Sequence, residues 1–69
     1  MINLWQYEYC GKVRITDRNG NEFVGDAQEV TDAGERSLDE PAENGITILS
    51  EGKLIEFYGS EILSIEKTG

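Results

Sequence analysis

The chain has 69 residues, 38% of them hydrophobic and 29% charged, with a formal net charge of −8. That describes one small globular domain, too apolar to stay disordered and too acidic to favour a phosphate backbone or an anionic membrane surface. With no histidine and one cysteine, Cys10, the chain has no His-based acid–base chemistry, no Ser-His or Cys-His nucleophile, no Cys/His zinc pattern and no internal disulfide.

A domain of this size buries roughly 60% of the surface its unfolded chain exposes, so its stability is expected to be thin and edge-to-edge assembly would help it. No basic-then-apolar signal segment opens the sequence and no apolar run approaches ~18 residues, so a cytoplasmic location and no membrane contact are expected. Lys12 and Arg14 lie close to Cys10 in sequence but no base partner does, so that thiol reads as a small buried hydrophobe.

The stretch "NLWQYEYCG" (3–11) begins with a candidate N-cap, Asn3, and closes with a candidate C-cap, Gly11. Leu4, Trp5, Tyr7 and Tyr9 fit a short helical turn, or an irregular aromatic lead-in; one or two helical turns are the expectation. "KVRITD" (12–17) alternates, with Val13 and Ile15 inward, and predicts a half-buried strand. Asn19-Gly20 then predicts a type I′ hairpin turn. In the return strand, "EFVGDAQEV" (22–30), Phe23 faces in. Gly25 suggests a bend or bulge, and the three-residue spacing of Ala27 and Val30 again breaks alternation.

Residues 31–44, "TDAGERSLDEPAEN", have no useful periodicity, five carboxylates and one base, Arg36. They read as a long acidic loop, a kind uncommon in compact domains unless functional or disordered. "GITILS" (45–50) and "KLIEFY" (53–58) predict two further strands joined by a tight turn through Glu51-Gly52. Ile46 and Ile48 share one face of the first, and Ile55 and Phe57 the core face of the second. After Gly59-Ser60-Glu61 the chain resumes as a last strand, with Ile62 and Ile65 spaced by three. Gly59 would admit a tight turn there without a Cβ clash. The fold class expected is mostly β: a short N-terminal helix, then five strands in a strongly bent antiparallel sheet that forms a small SH3-like open barrel, one domain over 1–69.

Two segments carry a family resemblance. "KVRITDRNG" with "FVGDAQEV" is similar to the first motif of the Sm-like (LSm) family, and "LIEFYGSEILSIE" to the second. The chain most resembles the short acidic Sm-like proteins of Firmicute-type bacteria, a group for which the resemblance implies no activity. The acidic loop 31–44 is longer than the family pattern. The resemblance implies assembly of copies, often into rings, by pairing of the fourth strand of one with the fifth of the next. Leu54, Glu56 and Tyr58 would lie on one such edge and Leu63, Ser64 and Ile65 on the other.

The resemblance also implies an RNA site. Family members that bind RNA place a cation before the second-motif glycine; here that pair is Tyr58-Gly59. The first-motif acid position falls near Thr31 or Asp32, and no Asn follows at the family spacing. Tyr58 could still stack a base, but with no pore cation and an acidic chain RNA is the disfavoured partner. Trp5, Tyr7, Asp39, Glu40 and Glu43 are candidates for contact with a basic protein, in the manner of an SH3-like or Tudor-like barrel reading a basic peptide, against core duty for the aromatics and plain solvation for the acids. The acidic loop lacks the spacing of a calcium site, so no metal or other cofactor is expected. Carboxylate pairs such as Asp39-Glu40 lack a rigid frame and a pocket, so no catalytic residue is assigned. A non-catalytic, self-assembling interaction module is the expected function, with an RNA-binding ring as the alternative.

Overall fold

Five strands form one antiparallel sheet in the computed structural model, which describes residues 2–69. They are β1 (Lys12–Asp17), β2 (Glu22–Thr31), β3 (Gly45–Ser50), β4 (Lys53–Tyr58) and β5 (Ile62–Lys67), preceded by a 3₁₀ turn over Leu4–Tyr7. The spatial order is β4-β3-β2-β1-β5. β4 and β5 are therefore free edges, and the bent sheet is an open barrel rather than a closed one.

The alternation expected in β1 holds: Val13 and Ile15 are fully buried, between β2 on one side and β5 on the other. Ile46, Ile48 and Phe57 meet them from β3 and β4. Fully burying an aliphatic side chain of this size contributes about 1.5–3 kcal/mol, so these few residues dominate the stability of so small a domain.

Both breaks in alternation are register shifts. On β2, Ala27 lies opposite Ile48 while Val30 lies opposite Ile46, so three steps along β2 match two along β3. The extra residue turns both Ala27 and Val30 inward and bends the strand over the core. On β5, Ser64 faces Thr16 while Ile62 faces Asp17. One residue is again in excess, which brings Ile62 and Ile65 to the same buried side.

The N-terminal segment covers the half of β2 that β1 is too short to reach. Gly11 O accepts the Ala27 N–H (2.8 Å), Tyr9 N–H donates to Gln28 O (3.1 Å), and the Glu8 carboxylate accepts the Val30 N–H (2.9 Å). Leu4 drops into the core from the 3₁₀ turn, whose N-cap is Asn3 as expected. The turn ends at Glu8, however, and not at Gly11, because the Glu8 N–H closes it onto Trp5 O.

Several local expectations are corrected. Asn19 does not have positive φ; only Gly20 does, at +85°. The Asp17 carboxylate accepts the N–H groups of Asn19 and Asn21, and the Asp17 carbonyl accepts that of Gly20. The β1–β2 connection is thus a three-residue loop ending in a left-handed glycine, held by an aspartate. The turn with two left-handed residues is instead Glu51-Gly52, at φ +50° and +77°. Gly25 is not the bulge: it sits in regular register opposite Val13, and an added Cβ would collide with the Leu49 carbonyl. Gly59 has no positive φ and ordinary space for a Cβ, so it is not required by the turn; Gly59–Glu61 is a 3₁₀ turn. Residues 31–44 also contain regular structure. Ala33–Glu35 is a 3₁₀ turn closed by a reciprocal cap, with Asp32 accepting from the Gly34 N–H and Glu35 from the Asp32 N–H.

Candidate interaction site

The acidic loop is anchored by its one base. The Arg36 side chain is only 5% exposed. Its Nε donates to Glu43 O at 3.1 Å, its Nη2 lies 2.9 Å from Glu56 Oε2, and its Nη1 lies 3.7 Å from Glu40 Oε2. The Nη2 contact is an ion pair by distance, but its N–H bonds point off the carboxylate, so no aligned hydrogen bond forms. The guanidinium carbon stands 4.7 Å from the centroid of the Tyr58 ring, a cation–π contact. Glu56, foremost, holds this guanidinium above its ordinary range. Glycine at 45 makes the room: a Cβ there would lie 2.5 Å from Nη2 and 3.0 Å from the Phe57 carbonyl.

A second set of bonds joins the end of this loop to the β4–β5 turn. Asn44 O accepts the Gly59 N–H (2.9 Å), and the Glu43 carboxylate accepts from both the Ser60 N–H (2.9 Å) and its Oγ (3.1 Å). Asn44 Oδ1 accepts the Ala33 N–H at 2.7 Å. The two connections that the sequence separates by a whole hairpin thus form one rim. Beside it runs a groove of about 740 Å³ floored by Ile2, Leu4, Ile62 and Leu63 and edged by Arg18 and Glu43.

The predicted site residues fall into three groups. Tyr58, Gly59, Glu43 and Glu40 lie on or next to this rim. Asp32 is exposed and spends its carboxylate on the local cap. Asp39 is exposed, beside the fully exposed Leu38. Trp5 lies apart on the N-terminal turn at 44% exposure, where its indole is available for contact. Tyr7 is half-buried, with its hydroxyl donating to Ile65 O (3.3 Å) and Lys67 over its ring. Core duty fits Phe57 and half-buried Phe23, whose rings meet edge to face at 5.1 Å, and not Trp5 or Tyr9. Cys10 is half-buried against the core, short of the full burial expected.

The residues assigned to strand edges do lie on the two edge strands. Leu54 and Leu63 are exposed there, but the Ile65 side chain is buried in the core and has none to offer a neighbour. Arg36 is the residue that sequence reasoning missed. It places a cation under Tyr58, where only an aromatic had been expected, and two carboxylates neutralise it. Its one sequence signal was its isolation among five acids.

Among the described residues no three carboxylates or thiols converge on a point where a metal ion could sit. No helix among them is long and apolar enough to cross a membrane. No family model, no curated protein and no solved structure matches this chain.

Proposed function

We propose that the chain is a non-catalytic interaction module of Sm-like type that works through its strand edges, assembling with copies of itself and with a basic protein partner in the cytoplasm. The observation that carries this reading is the open sheet, with β4 and β5 both unpaired on their outer sides in a domain whose core is small. The element order supports the Sm-like resemblance. The excess of carboxylates, fourteen against six bases, favours a basic partner.

Light scattering on a size-exclusion column tests the assembly. A mass that rises above 7.7 kDa with concentration is expected, and a strict monomer at high concentration removes self-assembly from the reading.

RNA binding is the second reading, and Arg36 is the observation that favours it: a cation and an aromatic ring meet at the rim. Glu56 and Glu40 occupy that cation, so binding should be weak. Titration of U-rich and A-rich single strands at low salt, where attraction is least screened, decides it. No binding there ends the RNA reading.

A further inference from the structure

The two edges of the sheet are not equivalent. The Glu51-Gly52 turn has two residues, so Ser50 and Lys53 form the hydrogen-bonded pair next to it. Counting from there, Ile55 and Phe57 bond to β3, while the N–H and C=O groups of Leu54, Glu56 and Tyr58 point away from it. The Tyr58 N–H is taken by the Glu61 carboxylate at 2.8 Å. Leu54 and Glu56 are left with four outward groups and no strand beyond them. At the β5 edge a side chain from elsewhere in the fold takes an outward group in mid-strand. Thr68 N–H bonds to Lys12 O, which places Ile65 C=O on the outer side, and the Tyr7 hydroxyl occupies it. Lys67, over the Tyr7 ring, guards the same edge.

A row of apolar side chains leads to the open edge on the outer face. Leu49 stands directly opposite Leu54, Val24 lies diagonally beyond Leu49, and all three are exposed, Leu54 at 69%. An incoming strand would continue this row.

We propose that the β4 edge receives an extended, basic segment of another protein as a sixth strand, with apolar and basic residues alternating along one of its faces. Backbone pairing to Leu54 and Glu56 would hold the segment. An apolar side chain opposite Leu54 would extend the row, and Lys or Arg two residues along on the same face would meet the field of a chain carrying −8 beside Glu56, whose carboxylate is shared with Arg36 and still 32% exposed. Charge selects this occupant over a second copy, which would bring −8 against −8 at the same edge. The inference rests on the reading of the strand edges as binding surfaces; it names which edge a basic partner uses, and it competes with self-assembly for that edge.

The probe is a synthetic peptide repeating Thr-Val-Thr-Lys, whose valines and lysines alternate along one face of a strand, titrated into the intact protein at low salt while amide hydrogen exchange is followed. Saturable binding is expected, with exchange slowed at Leu54 and Glu56 and not at Ile65. The same peptide with glutamate in place of each lysine should bind about tenfold more weakly or worse. Leu54→Pro removes an outward N–H without touching the β3 ladder and should abolish binding. Leu54→Lys, which blunts the edge without backbone strain, should weaken it about tenfold, with the urea midpoint of each variant checking that it folds. Binding that survives both substitutions, or protection at Ile65 instead, overturns the proposal. So does a free protein that is oligomeric, has Leu54 and Glu56 already protected, and ignores the peptide, although that result upholds self-assembly. A monomer that takes the peptide at Leu54 and Glu56 upholds this inference and removes only self-assembly.

Discussion

At Gly25 an added methyl group would land on the carbonyl of Leu49, and at Gly59 it would meet only ordinary contacts. The two glycines looked alike in the sequence, each interrupting a strand pattern. Spacing shows that alternation stops, but not what lies across the sheet, so only the fold could separate a close approach from a tolerant turn. Gly25→Ala should cost about 1–3 kcal/mol in urea unfolding, by forcing β2 and β3 apart. Gly59→Ala should be within about 1 kcal/mol of neutral in the same assay, and stabilising if anything, by restricting the unfolded chain. Asp17 makes a different kind of prediction. Hydrogen bonds from Asn21, foremost, and from Asn19 hold its carboxyl below the ordinary 3.8. A depressed folded-state value stabilises the fold above the unfolded one and is lost as pH falls through it. The gap in melting temperature between the native chain and Asp17→Asn should therefore close below about pH 4.

Among the elements, the hairpins show how far turn chemistry reads. Asn-Gly is the stronger hairpin signal in the sequence, yet the left-handed pair is Glu51-Gly52. At the other turn the Asp17 side chain offers a competing set of bonds, and the loop lengthens by a residue. A glutamate at positive φ is uncommon, so Glu51→Asn should raise stability by about 0.5–1 kcal/mol, read from the urea midpoint. The strands themselves were legible almost to the residue, because a sheet with one wet face imprints period two on its sequence. The loop over 31–44 was not. Its order depends on Arg36 meeting Glu56 and Tyr58 from a different part of the chain, and no local pattern records such a meeting. Arg36→Ala should cost about 1–3 kcal/mol and raise amide exchange at Ala33 and Gly59 beyond the global change. Arg36→Lys should restore little of it, because a point charge cannot both stack on the ring and reach Glu43 O and Glu56 at once.

For the whole molecule, the dominant fact is an excess of negative charge around a small core. Self-repulsion is screened within ~8 Å at physiological ionic strength, so the melting temperature should rise as salt is raised from near zero. A flat response would mean that the carboxylates are already compensated. The same salt series weakens a basic ligand at the β4 edge, and the opposite signs separate folding from binding in one experiment. The bent, open barrel was within reach of the sequence, since a few short strands in so small a chain cannot bury a core as a flat sheet. The difference between the edges was not, because it hangs on one tyrosine hydroxyl, 58 residues away from its acceptor.

That bond has a consequence in time. β1 lies between β2, which follows it at once, and β5, which is made last. Until Ile62 and Ile65 arrive, Val13 and Ile15 have a neighbour on one side only, and Tyr7 has nothing to close on. During synthesis the first hairpin must wait, half-covered, while the rest of the sheet is made. The core of the first hairpin is thus completed by contacts between residues far apart in the chain, and contacts of that kind are slow to form.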